Sequence, residues 1–137
     1  MVYVTRREGF NAAHKLYRSD WSEAKNMEVF GACANPNWHG HNYTLFVTVK
    51  GEVNADTAFV VDLKKLSTII RKNIIDIVDH KNFNLDVPFM KGILPSAENI
   101  ARAFWNILAP LIENAGGKLH CIKLQETENN YVEYFGA

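Results

Sequence analysis

Two histidines flank one glycine at His39-Gly40-His41, and they open a run that reads as a β-strand to Lys50. Residues two apart in a strand point to the same face. The two imidazoles therefore stand side by side, with Gly40 leaving the other face bare. Two ligands of one metal ion are presented in this way, and a satisfied structural pair is the competing reading. Catalytic zinc takes three protein ligands, often imidazoles, and keeps one position open. His14, at the end of a strand over Val2 to His14, is the natural third. Cys33 lies one short Asn35-Pro36-Asn37 loop before the histidines. A thiol there reads either as a small buried hydrophobe or as a catalytic group beside a metal and a base. Its loop position favours the catalytic reading, whereas Cys121 sits in an apolar strand and reads as structural.

Three further residues bear on the chemistry. Glu126 shares a strand face with Ile122 and Leu124, so it points the way core residues point. A carboxylate so placed needs a partner: a ligand with paired N–H donors, or a structural salt bridge. Asp79-His80 closes a helix, and a carboxylate beside a histidine can fix its tautomer for proton relay. The same pair reads equally as a helix C-terminus, with His80 on the dipole and Asp79 solvated. His120 reads as a half-exposed strand residue.

The elements that position these groups follow from periodicity. In the first strand Phe10, Ala12 and His14 share a face, with Glu8-Gly9 as a candidate bulge. Ser19 to Phe30 reads as a helical insert, with Asp20 and Glu23 as its capping box and Gly31 as its stop. In the His39–Lys50 strand, Tyr43, Leu45, Val47 and Val49 continue the histidine face. Asp62 caps a helix to about Val78 with Leu63, Leu66, Ile70, Ile74 and Ile77 on one side. Ser96 caps another carrying Ile100, Phe104, Ile107 or Leu108, and Leu111, with Pro110 near its end and Gly116-Gly117 as its stop. Strands Lys118–Thr127 and Tyr131–Phe135 form a closing hairpin. The order β-β-α-α-β-β predicts one α+β domain over residues 1–137, a four-stranded antiparallel sheet with two helices on one face. Its bare edges predict a homo-oligomer.

Composition narrows the partners. Lys+Arg and Asp+Glu balance at 15 each, so no basic field argues for nucleic acid. No apolar run approaches the roughly 18 residues that span a bilayer, and Met1 to Arg7 lacks the apolar core of a signal peptide. Two cysteines without sign of export predict reduced thiols in the cytoplasm.

Five segments together resemble the 6-pyruvoyl-tetrahydropterin synthases and the related 6-carboxytetrahydropterin synthases of queuosine biosynthesis. They are Phe10-Asn-Ala-Ala-His14, Phe30 to Tyr43 with its Cys33 and His39-Gly-His41, Val78-Asp79-His80-Lys81-Asn82, Ala97-Glu98-Asn99, and Glu126 to Asn130. The resemblance implies the tunnelling fold (T-fold), hexamers built as stacked trimers, and active sites between subunits. It implies Zn2+ on His14, His39 and His41, Cys33 as the proton-abstracting thiol, and Asp79 and His80 as its relay. Glu126 would anchor the pterin ring, with Ser96 and Glu98 beside the substrate, 7,8-dihydroneopterin triphosphate. Trp38 stands where many relatives have glycine, and Ser96-Ala97 replaces a hydroxyl-bearing pair. The five residues between Cys33 and His39 match the pyruvoyl-forming enzymes, and many carboxy-forming ones have a shorter loop. The alternatives are the carboxy-forming lyase, which releases acetaldehyde, and a pterin-binding T-fold protein without chemistry.

Overall fold

A computed structural model describes all residues, 1–137. Strand β1 (Val2–His14) pairs antiparallel with β2 (His39–Gly51) in an unbroken register that sets Phe10 opposite Tyr43, Ala12 opposite His41 and His14 opposite His39. Helix α1 (Glu23–Phe30) and a 3-10 turn (Gly31–Ala34) lie between them. Helix α2 starts at Leu63–Ile70, widens into a π-turn at Arg71–Ile75 and ends in one α-turn, Asp76–Val78. The two-residue strand β3 (Lys81–Asn82) and a 3-10 turn (Pro88–Met90) lead to α3 (Ala97–Asn114). Strands β4 (Lys118–Thr127) and β5 (Asn130–Tyr134) close the chain. The sheet order is β3-β1-β2-β4-β5, with every pair antiparallel except β1 and β3.

The expected α+β class and four antiparallel strands are present, and β3 adds a short fifth strand in parallel. It forms because the chain leaving α2 turns back along β1. The N–H of His80 donates to the Asn11 carbonyl at 2.7 Å, and that of Phe83 to the Ala13 carbonyl at 2.8 Å. Strand propensity over two residues could not announce a pairing set by the path of a loop.

Phe10, Tyr43, Leu45, Val47, Val49, Ile122 and Leu124 present one apolar sheet face. Against it α2 sets Leu66, Ile70, Ile74 and Val78, and α3 sets Ile100, Phe104, Leu108 and Ile112, all fully buried. Each such side chain contributes about 1.5–3 kcal/mol by leaving water. The π-turn accounts for one departure from simple periodicity. It inserts a residue without completing a further turn, so Val78 rather than Ile77 is fully buried. Leu63, the first residue of the helix, is exposed. In α3 the buried line passes through Leu108 and Ile112 rather than Ile107 and Leu111.

Two local expectations are corrected. Ser22, accepting from the Lys25 N–H at 3.1 Å, caps α1, while Asp20 is drawn into a pair with Arg18. Glu8-Gly9 is regular strand. The bulges lie instead on β4, between Leu119 and Cys121 against β2 and between Gln125 and Thr127 against β5. Gly116 adopts φ +99°, and a Cβ on Gly117 would lie 2.3 Å from Val49 Cγ1. Those two demands explain the paired glycines after α3. No helix is long and apolar enough to cross a membrane.

Candidate metal centre and active site

The β1–β2 register brings the three histidines together. His14 faces His39 directly, and His41 follows one pleat further along the same face. Ring centroids are 4.5 Å apart for His14–His39, 5.0 Å for His14–His41 and 4.9 Å for His39–His41. One nitrogen from each lies within 4.8 Å of the other two.

Their protonation suits a cation. His14 is 1% exposed, and burial holds its pKa below the ordinary histidine value despite the opposing pull of the Pro95 carbonyl and Glu126. Burial likewise lowers His39 and His41. Neutral imidazoles are the metal-binding form. The His14 tautomer is fixed as well. Its Nδ1 lies 2.8 Å from the Pro95 carbonyl, which can only accept, so Nδ1 carries the hydrogen and Nε2 keeps its lone pair. That Nε2, together with His39 Nδ1 and His41 Nε2, is buried without a hydrogen-bond partner. Buried polar atoms without a hydrogen-bond partner are costly, and a bound cation resolves all three at once. The residues fit a metal.

Other groups surround the cluster. Glu126 Oε1 lies 3.4 Å from His41 Nε2. It occupies the β4 bulge, which takes it out of the ladder with β5 while it keeps the Leu124 side of the strand. The same carboxylate lines a cavity of about 140 Å³ with Ala97, Glu98, Asn130, Tyr131 and Val132. Ser96 does not line it; the Ser96 hydroxyl is committed to capping α3 through the Asn99 N–H at 3.1 Å. Cys33 is half-buried in the 3-10 turn and free, its carbonyl accepting from the Leu16 N–H at 2.8 Å. Tyr43, 1% exposed, stacks its ring on Phe10 and stands 5.5 Å from the His41 ring. Burial first, then the charges of Glu126 and Cys33, push its phenol far above the ordinary range, so it stays protonated. Its hydroxyl is the fourth orphan of the group. The histidine-face pattern marked Tyr43 as core and gave no sign of its polar end.

Asp79 and His80 are placed elsewhere. Asp79 Oδ1 accepts from the Asn11 N–H at 3.0 Å, and this bond is the main reason its pKa falls below the usual carboxylate range. Asp79 Oδ2 lies 3.1 Å from His80 Nδ1, so the carboxylate does orient the ring. His80 is exposed, at φ +61°. It lines a cavity of about 470 Å³ with Asn11, Ala12, Ala13, Gly40, His41 and Asn42. Asp79 and His80 bond to the backbone of Asn11 and lead into β3, so the pair stands at the edge of the sheet beyond β1. Within one chain, then, the structure gathers His14, His39, His41, Tyr43 and Glu126, with Cys33 near enough for its charge to act on the Tyr43 phenol, and sets Asp79–His80 at the sheet edge beyond β1.

Trp38 stands at the entrance to β2 with φ +65°. An L side chain is strained there and glycine is not. Its ring lies under Lys15 Nζ, 4.9 Å away, and Tyr17 packs on the same amine at 4.8 Å.

Residues 3–137 match the protein family described as 6-pyruvoyl tetrahydropterin synthase. The chain belongs to that family. It is 40% identical to the human 6-pyruvoyl tetrahydrobiopterin synthase over 133 residues, which cover 97% of this chain and 90% of that one. It is 39% identical to the Dictyostelium discoideum protein of the same name, over 98% and 96% of the two chains. The structure of Caenorhabditis elegans 6-pyruvoyl tetrahydropterin synthase superposes with a TM-score of 0.92 at 37% identity, covering 99% and 96%. Similarity to the 6-carboxy-5,6,7,8-tetrahydropterin synthase of Bacillus subtilis is lower, 28% over 78% of this chain and 73% of the relative. The T-fold expected from the sequence is the fold of this family's structures.

Proposed function

We propose that the chain is a zinc-dependent 6-pyruvoyl tetrahydropterin synthase, a lyase that eliminates triphosphate from 7,8-dihydroneopterin triphosphate. The observation that carries this reading is the set of three neutral imidazoles, His14 buried and His39 and His41 half-buried, whose nitrogens lack partners, set beside a free thiol and a carboxylate. The higher identity to pyruvoyl-forming relatives, 40% against 28%, supports that product over the carboxy one.

His14, His39 and His41 would hold Zn2+. When bound, the metal supplies Lewis-acid stabilisation of negative charge developing on the substrate's side-chain oxygens. The protein's own groups do the rest. Glu126, at the rim of its cavity, accepts from the 2-amino and N3–H donors of the pterin and so fixes which side-chain carbon faces the thiol. Cys33 removes a proton from that carbon and returns one to the product skeleton, while triphosphate leaves with the C–O bonding pair. The change is an internal redistribution of hydrogen, so no redox cofactor enters. Tyr43, held protonated, offers a hydroxyl donor on the floor of the site. Asp79–His80 stands at the edge of its own sheet, where a neighbouring subunit can meet it, and relay to Cys33 uses the pair from a second copy. This accords with a homo-oligomeric assembly, proposed here as a hexamer.

Incubation with 7,8-dihydroneopterin triphosphate, with products identified by mass, tests the assignment. The wild type should hold about one zinc per chain and release triphosphate with a pyruvoyl product. His39→Ala and His41→Ala should lose the metal, and Cys33→Ala should keep it while losing triphosphate release. Full zinc in both histidine variants, or an active Cys33→Ala protein, would overturn the assignment. A carboxylated pterin with acetaldehyde would replace the product named here.

A further inference from the structure

We propose that Asn99 is a positioning residue for the metal centre, acting through the turn whose Pro95 carbonyl fixes the ring of His14. The inference rests on the metal reading above. Leu94 and Ser96 are joined across a single residue, the Ser96 N–H donating to the Leu94 carbonyl at 2.9 Å. This is a γ-type turn with Pro95 at its centre. Such turns want φ near about −75°, and the proline ring holds φ at about −65°. The turn leaves the carbonyl of Pro95 itself free to bond outside it. That carbonyl takes the His14 Nδ1 hydrogen at 2.8 Å.

A γ-turn closed by one bond holds its shape weakly. Here a second donor reinforces it. Asn99, in the first turn of α3, reaches back and donates from Nδ2 to the same Leu94 carbonyl at 2.9 Å. The Asn99 backbone is itself held by the Ser96 hydroxyl at 3.1 Å. Turn and helix start are thus bolted together by one amide that touches none of the three histidines. Pro95 is buried and His14 almost wholly so, which leaves water little access to replace the bond between them. If the turn relaxes, His14 loses what selects its Nδ1–H form. The other tautomer puts a hydrogen on Nε2, where the metal needs a lone pair. Groups that orient a ligating histidine through its second nitrogen typically change metal affinity about 10–100-fold when removed.

The test compares wild type, Asn99→Ala, Asn99→Asp and Asn73→Ala. Asn99→Asp keeps size and shape but has no N–H to give, and it carries the test if the alanine variant fails to fold. Asn73→Ala removes a similar amide-to-carbonyl bond, Asn73 Nδ2 to the Ile69 carbonyl at 2.8 Å, away from the histidines. Zinc affinity is read by competition with a chromophoric chelator, and the His14 tautomer by 15N NMR of the metal-free protein. Both Asn99 variants should bind zinc about 10–100-fold more weakly and show His14 as a mixture of tautomers. Asn73→Ala should lose stability and keep wild-type zinc affinity. Unchanged affinity and an unchanged Nδ1–H signal in a folded Asn99 variant would overturn the proposal. A wild type that binds no zinc would overturn the metal reading instead, and the tautomer signal would still report on Asn99.

Discussion

Replacing Trp38 by alanine and by glycine separates what the backbone demands at that position from what the indole contributes. Both variants lose the ring beneath Lys15, a half-exposed cation–π contact worth about 0.5–1 kcal/mol. That loss is common to the two and cancels in the comparison. Alanine keeps the Cβ at φ +65°, where an L residue costs about 1–2 kcal/mol. Glycine escapes that cost but has a more disordered unfolded chain, worth about 0.4–1 kcal/mol against it. The strain is the larger effect, leaving Trp38→Gly more stable than Trp38→Ala by about 0.5–1 kcal/mol. For a chain of this length the gap is a Tm difference of about 2–4 °C, in the direction opposite to the usual order of alanine over glycine. Thermal and urea denaturation, at equal protein concentration and with metal chelated, would read it. An alanine variant as stable as the glycine variant, or more so, would refute the assignment of strain to this residue.

A relay pair supplied by a second copy predicts complementation. Cys33→Ala and His80→Ala should each be nearly inactive alone. Co-assembled in equal amounts, they should recover activity at about a quarter of the sites; a mixture that stays inactive would place both residues in one chain's site. Glu8 offers a pH test remote from the histidines. Burial works to raise its pKa, but Arg6, Ser67 and Arg71 bind the charged form and bring it below the ordinary value. A depressed folded-state pKa means stabilisation that is complete above the unfolded value, about 4.3, and lost as pH falls through the folded one. The Tm advantage of wild type over Glu8→Gln should hold from neutral pH to about 5 and shrink below about 4. An advantage that persists undiminished into acid would refute the charge-based account.

How much of this was legible in the sequence depended on whether a local pattern set the feature. Alternation placed Phe10, Ala12 and His14 with Tyr43, Leu45 and Val47, and the register followed, because a one-residue slip would bury Asn11 and Asn42. The three histidines were found for the same reason. Tertiary contacts set the features that pattern could not give. Ser22 rather than Asp20 caps α1 because Arg18 claims the aspartate. The π-turn leaves no periodic mark until the phase of Val78 is known. The Pro95 carbonyl on His14 joins residues 81 apart in the chain, and nothing in either stretch advertises the other. Asp79-His80 was recognisable as a pair, but the edge it occupies follows from where the chain after α2 meets β1.

That meeting also limits how β1 can be used by a neighbour. Asp79, His80 and Phe83 occupy the outward backbone groups at Asn11 and Ala13. By the two-residue repeat, the groups left on that edge belong to Tyr3, Thr5, Arg7 and Gly9. A strand arriving from another molecule can advance along β1 only as far as Gly9 before it meets a stop. The stop works as a gauge: it admits one span of edge, comparable in length to the five-residue β5, and keeps an incoming backbone away from His14.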